Sequence, residues 1–221
     1  EFIGNDKKRF EVHSEIADAT LEGAFDIEQV PVAFMQYLSR NFPEFFQRLG
    51  LKAPEKEVRP QSFSFNARIS DSKNLLAVFD SRLGPIRNAT VEGYFDNVLD
   101  SIWAFVDVPQ FRFDKIELNG AGVMLRLEQS FGNIDLALAE PVLNQKTYLS
   151  PVKVLGLLER DTFDIALAYE SEGMSFLDKL NLNARLFLPD SLNYRVEFSQ
   201  SNLVLLETPW LINNKNYITF R

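Results

Sequence analysis

Apolar and polar residues alternate with period two along most of the chain, the pattern of strands that bury one face. Ala19, Leu21, Gly23, Phe25 and Ile27 fall on one side, and Asp18, Thr20, Glu22 and Asp26 on the other. The period then changes. Phe34, Tyr37, Leu38, Phe42, Phe45, Phe46 and Leu49 recur at spacings of mostly three and four, behind a Pro31 suited to the first turn of a helix. Pro43 is expected to divide this stretch and Gly50 to end it. Alternation returns at Phe63, Phe65, Ala67 and Ile69. A second short helix is predicted over residues 72–83, capped by Asp71 or Ser72, with a stripe of Leu75, Leu76, Phe79 and Leu83. Gly84-Pro85 would end it.

From Ile86 to Phe220 the pattern is almost entirely that of strands. The run Ser101 to Asp107 is apolar on both faces, because Trp103 and Phe105 interleave with Ile102, Ala104 and Val106. Turns are predicted at Asn119-Gly120, Gly132-Asn133, Arg160-Asp161, Glu172-Gly173, Pro189-Asp190 and Asn213-Asn214. Strands recurring every ~8–12 residues suggest consecutive antiparallel pairing. About 13 strands is many for one sheet, roughly 60 Å side by side. The apolar faces must be covered. Two amphipathic helices cover only part of them. The rest needs a second sheet, the same sheet folded over, or a ligand without polar demands.

Composition narrows the chemistry. Lys+Arg is 23 against 31 Asp+Glu, a formal charge of −8, which argues against a nucleic-acid partner. There is no Cys and one His, which excludes thiol catalysis, disulfides and thiolate metal sites. The apolar fraction is an ordinary 46%, yet 20 residues are Phe, so the apolar mass sits in large rings. No apolar run approaches a membrane span and no signal-peptide pattern is present, so the chain reads as a soluble fragment cut from a longer protein, or as a processed chain.

The reactive constellations are weak. His13 between Glu11 and Glu15 reads as a surface residue before it reads as a metal ligand. The acid pairs Asp26/Glu28 and Glu170/Glu172 fall at strand ends, where acids are common. Asp71-Ser72-Lys73-Asn74 lacks the ligand count of a calcium loop, and Gly120-Ala121-Gly122 lacks the context of a phosphate loop. These residues suggest no catalytic site, no metal and no cofactor.

Three segments in order carry a resemblance. Ala19–Phe46 gives a strand, a helix and a Phe-Pro segment, and Phe63–Phe79 a strand and short helix. Leu192–Phe220 gives a strand, a segment ending in Trp210, a polar turn with Asn213, Asn214 and Asn216, and a last strand with Ile218 and Phe220. Together they resemble the TamB family, the translocation and assembly module proteins related to AsmA. The resemblance implies a mainly β fold with helical insertions near 31–49 and 72–83. Its antiparallel or mixed sheet would curl into an open trough, a β-taco, with an apolar interior. It also implies a periplasmic segment of a protein anchored in the inner membrane at an N-terminal segment missing here. The implied partners are an outer-membrane Omp85/TamA-type β-barrel and phospholipid, in envelope biogenesis and without enzymatic activity. Under this reading acyl chains lie against Leu21, Phe25, Phe63, Phe65, Ile69, Val91, Phe95, Leu125, Leu127, Ile134, Leu136, Leu138, Phe163, Ile165, Leu167, Leu182, Leu186, Tyr194, Val196 and Phe198. The alternatives are a scaffold for outer-membrane proteins by strand pairing, and a closed β-sandwich of adhesin type.

Overall fold

A computed structural model describes residues 7–48, 50–54, 58–72, 82–143, 147–148, 150–171, 177–189, 193–214 and 216–220. Two strands, β1 (Lys8–His13) and β2 (Ala17–Ala24), precede helices α1 (Val30–Asn41) and α2 (Pro43–Arg48). Then follow β3 (Ser62–Asp71), β4 (Arg87–Asp96), β5 (Ser101–Phe113), β6 (Ile116–Glu128), β7 (Phe131–Leu143) and the short β8 (Thr147–Tyr148). The chain continues with β9 (Val152–Glu159), β10 (Thr162–Glu170), β11 (Leu177–Phe187), β12 (Tyr194–Phe198), β13 (Ser201–Leu205), β14 (Thr208–Ile212) and β15 (Tyr217–Phe220). All belong to one open, curled sheet in the order β1-β2-β3-β4-β5-β6-β7-β9-β10-β11-β12-β15. Strand β13 pairs with β11 and β14, and β8 with β7. Every described pairing is antiparallel, so the sheet is not mixed.

The helices form where the period changes. Pro31 lies in the first turn of α1, and the Asp26 carbonyl accepts the N–H groups of Gln29 and Val30. Phe42 leaves the helical region at φ −136°, and Pro43 opens α2. Of the second predicted helix, residues 73–81 lie outside the described residues. Ser72 instead accepts the Ile86 N–H on its hydroxyl at 2.8 Å, and Leu83 bridges to Phe113. The predicted turns at Glu172-Gly173 and Pro189-Asp190 also fall outside them, in whole or in part.

Two predicted turns are corrected. Asn119-Gly120 lies inside β6, and the hairpin turn is Asp114-Lys115, closed by the Phe113–Ile116 pair. Gly132-Asn133 lies inside β7, and the turn is Gln129-Ser130, closed by Glu128–Phe131. Asp114, Gln129 and Arg160 take positive φ of 52°, 55° and 52°, doing at two-residue turns what glycine usually does.

Gly120 has a different task. Ser70, Asn88, Pro109, Gly120 and Ala139 form one transverse row, which the paired ladders skip while keeping the same register on either side. Pro109 has no N–H to give, Asn88 has φ 53° and Gly120 φ 90°. The row is a crease across β3–β7. It explains why the strongest turn dipeptide of the region sits in mid-strand.

The strands also hold a repeat. Ala19–Asp26 reads ATLEGAFD and Ala89–Asp96 reads ATVEGYFD. Each copy is the first strand of an antiparallel pair, β2–β3 and β4–β5, and each ends in a buried Phe followed by a turn-forming Asp. The helices are thus an insertion into the turn of the first pair. Gln61, 1% exposed, ties the two copies together. Its side-chain oxygen accepts the Asp26 N–H at 2.7 Å, and its own N–H donates to the Asn97 side chain at 2.7 Å.

At the second copy, Asp96 is buried and accepts the N–H groups of Val98 and Leu99 at 2.8 Å and the Tyr94 hydroxyl at 2.8 Å. Burial pushes its carboxyl up, but the Leu99 N–H, the hydroxyls of Tyr94 and Ser62 and the Val98 N–H outweigh it and hold it below the usual range. A depressed folded value gives stability that is present above the unfolded value near 3.9 and lost as pH falls through the folded one. Asp96→Asn is therefore expected to cost about 1.5–3 kcal/mol at pH 7. The cost should shrink at acid pH, read from denaturant midpoints between pH 7 and 3. A constant difference across that range would count against the charged turn.

Candidate functional site: the inner face

Paired residues in an antiparallel sheet share a face. Following one row through the pairings gives Leu21, Phe65, Gly93, Ala104, Leu125, Ile134, Gly156, Ile165, Ala184 and Phe198 in order across the sheet. The neighbouring rows behave alike. All twenty residues proposed for the groove lie on this inner face, from Leu21 near one edge to Tyr194, Val196 and Phe198 near the other. Among the described residues no second sheet covers it.

The helices cover one end. Tyr37 is fully buried and packs edge-on against Phe95, with ring centroids 6.2 Å apart, and its hydroxyl donates to the Gln129 carbonyl at 3.2 Å. Burial pushes the Tyr37 phenol well above its usual value; Asp100 adds to this and Arg40 opposes it. Arg40 pairs with Asp100 in the β4–β5 turn. The Phe45 N–H donates to Asp161 in the β9–β10 turn at 3.0 Å, and Arg48 stacks over Tyr194 of β12 at 4.6 Å. The helices thus run along the turn ends of the sheet from β4 to β12.

This corrects part of the groove assignment. Phe25, Phe63, Phe95 and Leu127, each 4–6% exposed, form a protein core with Ala33, Tyr37 and Phe42. They are sealed by α1 and offer nothing to a ligand. The other sixteen candidates are half-buried. Val106, Val123 and Val154 share their face and complete its floor. Sequence reading passed over the first because β5 is apolar on both sides, and only pairing with β4 and β6 decides between them.

Past the crease Arg87, Gln110, Arg112, Glu117, Asn119 and Glu140 share one face, with buried Val142 the apolar exception. Phe111, Phe113, Ile116, Leu118 and Pro141 share the other. The outer face also holds a concavity of about 980 Å³, lined by Phe131, Leu155, Leu157 and Arg126 beside the Arg185–Asp164 ion pair at 2.6 Å. A twisted sheet is concave along one diagonal on each face. With its charged lining and shallow form, this hollow lacks the apolar continuity of the inner face.

The chemical candidates are surface features. His13 pairs with Asp18, its cross-strand partner, at 2.9 Å. Asp26 bonds the Glu28 N–H and the Gln29 side chain, and Glu170 pairs with Lys179 at 3.2 Å; Glu172 lies outside the described residues. Among the described residues no group of three or more His, Cys, Asp or Glu is placed to hold a metal. Nor, among them, is any helix long and apolar enough to cross a membrane.

Comparison with family models, curated proteins and solved structures found no match to this chain.

Proposed function

We propose that the chain is a non-enzymatic lipid-binding segment, which lays phospholipid acyl chains against the inner face of its sheet. The observation that carries this reading is the continuity of that face. Every full-length strand from β2 to β12 contributes to it, and among the described residues the helices are the cover over one end. Apolar burial yields about 25 cal/mol per Å² without directional demands, so acyl chains of many kinds would be held. With the resemblance in its sequence, this makes the chain a periplasmic part of a TamB/AsmA-like protein that carries lipid between the two membranes and works with an outer-membrane β-barrel.

The test is native mass spectrometry of the purified protein, with organic extraction of bound material. Phospholipid is expected on the wild type. Leu136→Asp combined with Ile165→Asp places two charges on the floor and should lower retained lipid at least ~10-fold, equivalent to about 1.4 kcal/mol. Ala168→Asp, on the exposed outer face, should leave it unchanged. Wild-type lipid content in the double variant, with its circular dichroism intact, would overturn the proposal.

A second reading has its own observation. Strands β14 and β15 form an edge with no charged residue, exposing Trp210, Leu211, Tyr217, Ile218 and Phe220. The opposite edge, β1, carries Lys8, Arg9, Glu11 and His13, the charges that usually blunt an edge. An uncharged edge suits strand addition by a client chain. Photocrosslinking from Tyr217 distinguishes the two: polypeptide adducts favour the scaffold, acyl adducts the groove.

A further inference from the structure

We infer that the hollow on the outer face is a docking site for a basic amphipathic helix of a partner protein. The site lies on the side of the sheet opposite the proposed acyl surface and does not depend on that reading. Three observations carry it.

The first is an apolar stripe on an otherwise polar face. Lys153, Leu155, Leu157 and Glu159 share the outer side of β9, and the two leucines are 56% and 63% exposed. Phe131, the cross-strand partner of Glu159, continues the stripe onto β7 and is 55% exposed. Strand β9 lies inside the sheet between β7 and β10, so these are not the side chains of an edge. The residues that share their face nearby are polar or small: Asn133 and Asp135 on β7, Asp164 and Ala166 on β10, Asn183 and Arg185 on β11.

The second is what the backbone allows. Strand β9 is paired with β7 on one side and β10 on the other, so an extended segment laid across it finds no free ladder to join. A chain that covers the stripe must satisfy its own N–H and C=O groups, as a helix does. The hollow, about 980 Å³, has room for roughly two turns of a helix ~10 Å across. Residues two apart on a strand stand about 6.6 Å apart, close to the ~5.4 Å pitch of a helix. Successive turns can therefore each set one apolar side chain against Leu155 and Leu157.

The third is charge. Glu128, Asp135, Glu159 and Asp164 line the hollow with Arg126 and Arg185. Asp164 holds Arg185 through both its oxygens, at 2.6 and 2.9 Å. Glu128, Asp135 and Glu159 are then set against the guanidinium of Arg126 alone. Such a lining repels nucleic-acid phosphates and anionic headgroups and favours lysine or arginine beside an apolar stripe.

The test is fluorescence polarisation with two labelled helical peptides of about 18 residues. Both carry leucine along one face, and one has lysine and the other glutamate on the opposite face. The full chain is expected to bind the lysine peptide and leave the glutamate peptide free. Leu155→Ser with Leu157→Ser should weaken the lysine peptide at least ~10-fold. Leu206→Ser with Leu211→Ser, which changes exposed leucines away from the hollow, should leave it unchanged. Glu128→Lys with Glu159→Lys should turn the preference to the glutamate peptide. All six substituted residues are exposed, so the circular dichroism of each variant should match the wild type. None of them belongs to the proposed acyl surface, so the outcome is independent of lipid retention. Equal affinity for the two peptides, unchanged lysine-peptide binding in either hollow variant, or no binding at all would overturn the site.

Discussion

Tyr37→Ala is expected to destabilise the protein by about 3–5 kcal/mol, the range for losing a large buried ring. No part of Tyr37 is exposed, and its ring meets both Phe42 and Phe95 edge-on. Truncation opens a cavity between α1 and the sheet, and rigid neighbours on both sides leave it poorly able to collapse. Tyr37→Phe keeps the ring and loses only the hydroxyl bond to Gln129, at about 1 kcal/mol. Urea unfolding followed by near-ultraviolet circular dichroism measures both. Similar losses for the two variants would show that the hydroxyl, and not the ring, anchors the helices.

Gly93→Ala is the second large effect, at about 2–3 kcal/mol or more. A Cβ at Gly93 would stand 2.3 Å from the Trp103 carbonyl oxygen and 2.4 Å from the Phe65 ring. The ring can shift, but the carbonyl belongs to the paired backbone of β5 and cannot move without parting the ladder. Gly122, where a Cβ meets nothing within 4 Å, is the control: Gly122→Ala should change stability little. Equal midpoints for the two alanine variants would contradict this packing.

Much of the fold was legible in the sequence because alternation is a local property. Each strand declares its apolar face without knowing its neighbours, so residues read as one face, such as Leu21, Phe65, Leu125, Ile134 and Ile165, do share a face of the sheet. The helix at Pro31 declared itself by the same local means. Three things were not legible for a common reason. Turns at Asp114, Gln129 and Arg160 use left-handed residues without glycine, so the glycine-containing dipeptides nearby drew the prediction away. The sealing of Phe25, Phe63, Phe95 and Leu127 depends on where α1 lands, which alternation does not encode. That Phe111 and Phe113 belong to the same strand as Ile102 depends on β5 running past Pro109 without a turn. The repeat at Ala19 and Ala89 was present in the sequence and, once aligned, would have shown that the helices interrupt a hairpin.

The sheet's simple order of pairing governs how the molecule holds together. From β3 onward almost every strand leans on the strands just before and after it, with β11 shared between β12 and β13. Stability in such an array is passed from neighbour to neighbour, as in a solenoid, instead of being pooled in one central core. Among the described residues only the inserted helices, which touch turns from β4–β5 to β9–β10 and a ring on β12, speak to several strands at once. They act as a splint along one margin. Along the opposite margin the described contacts are those between paired strands, so there stability passes from one strand to the next.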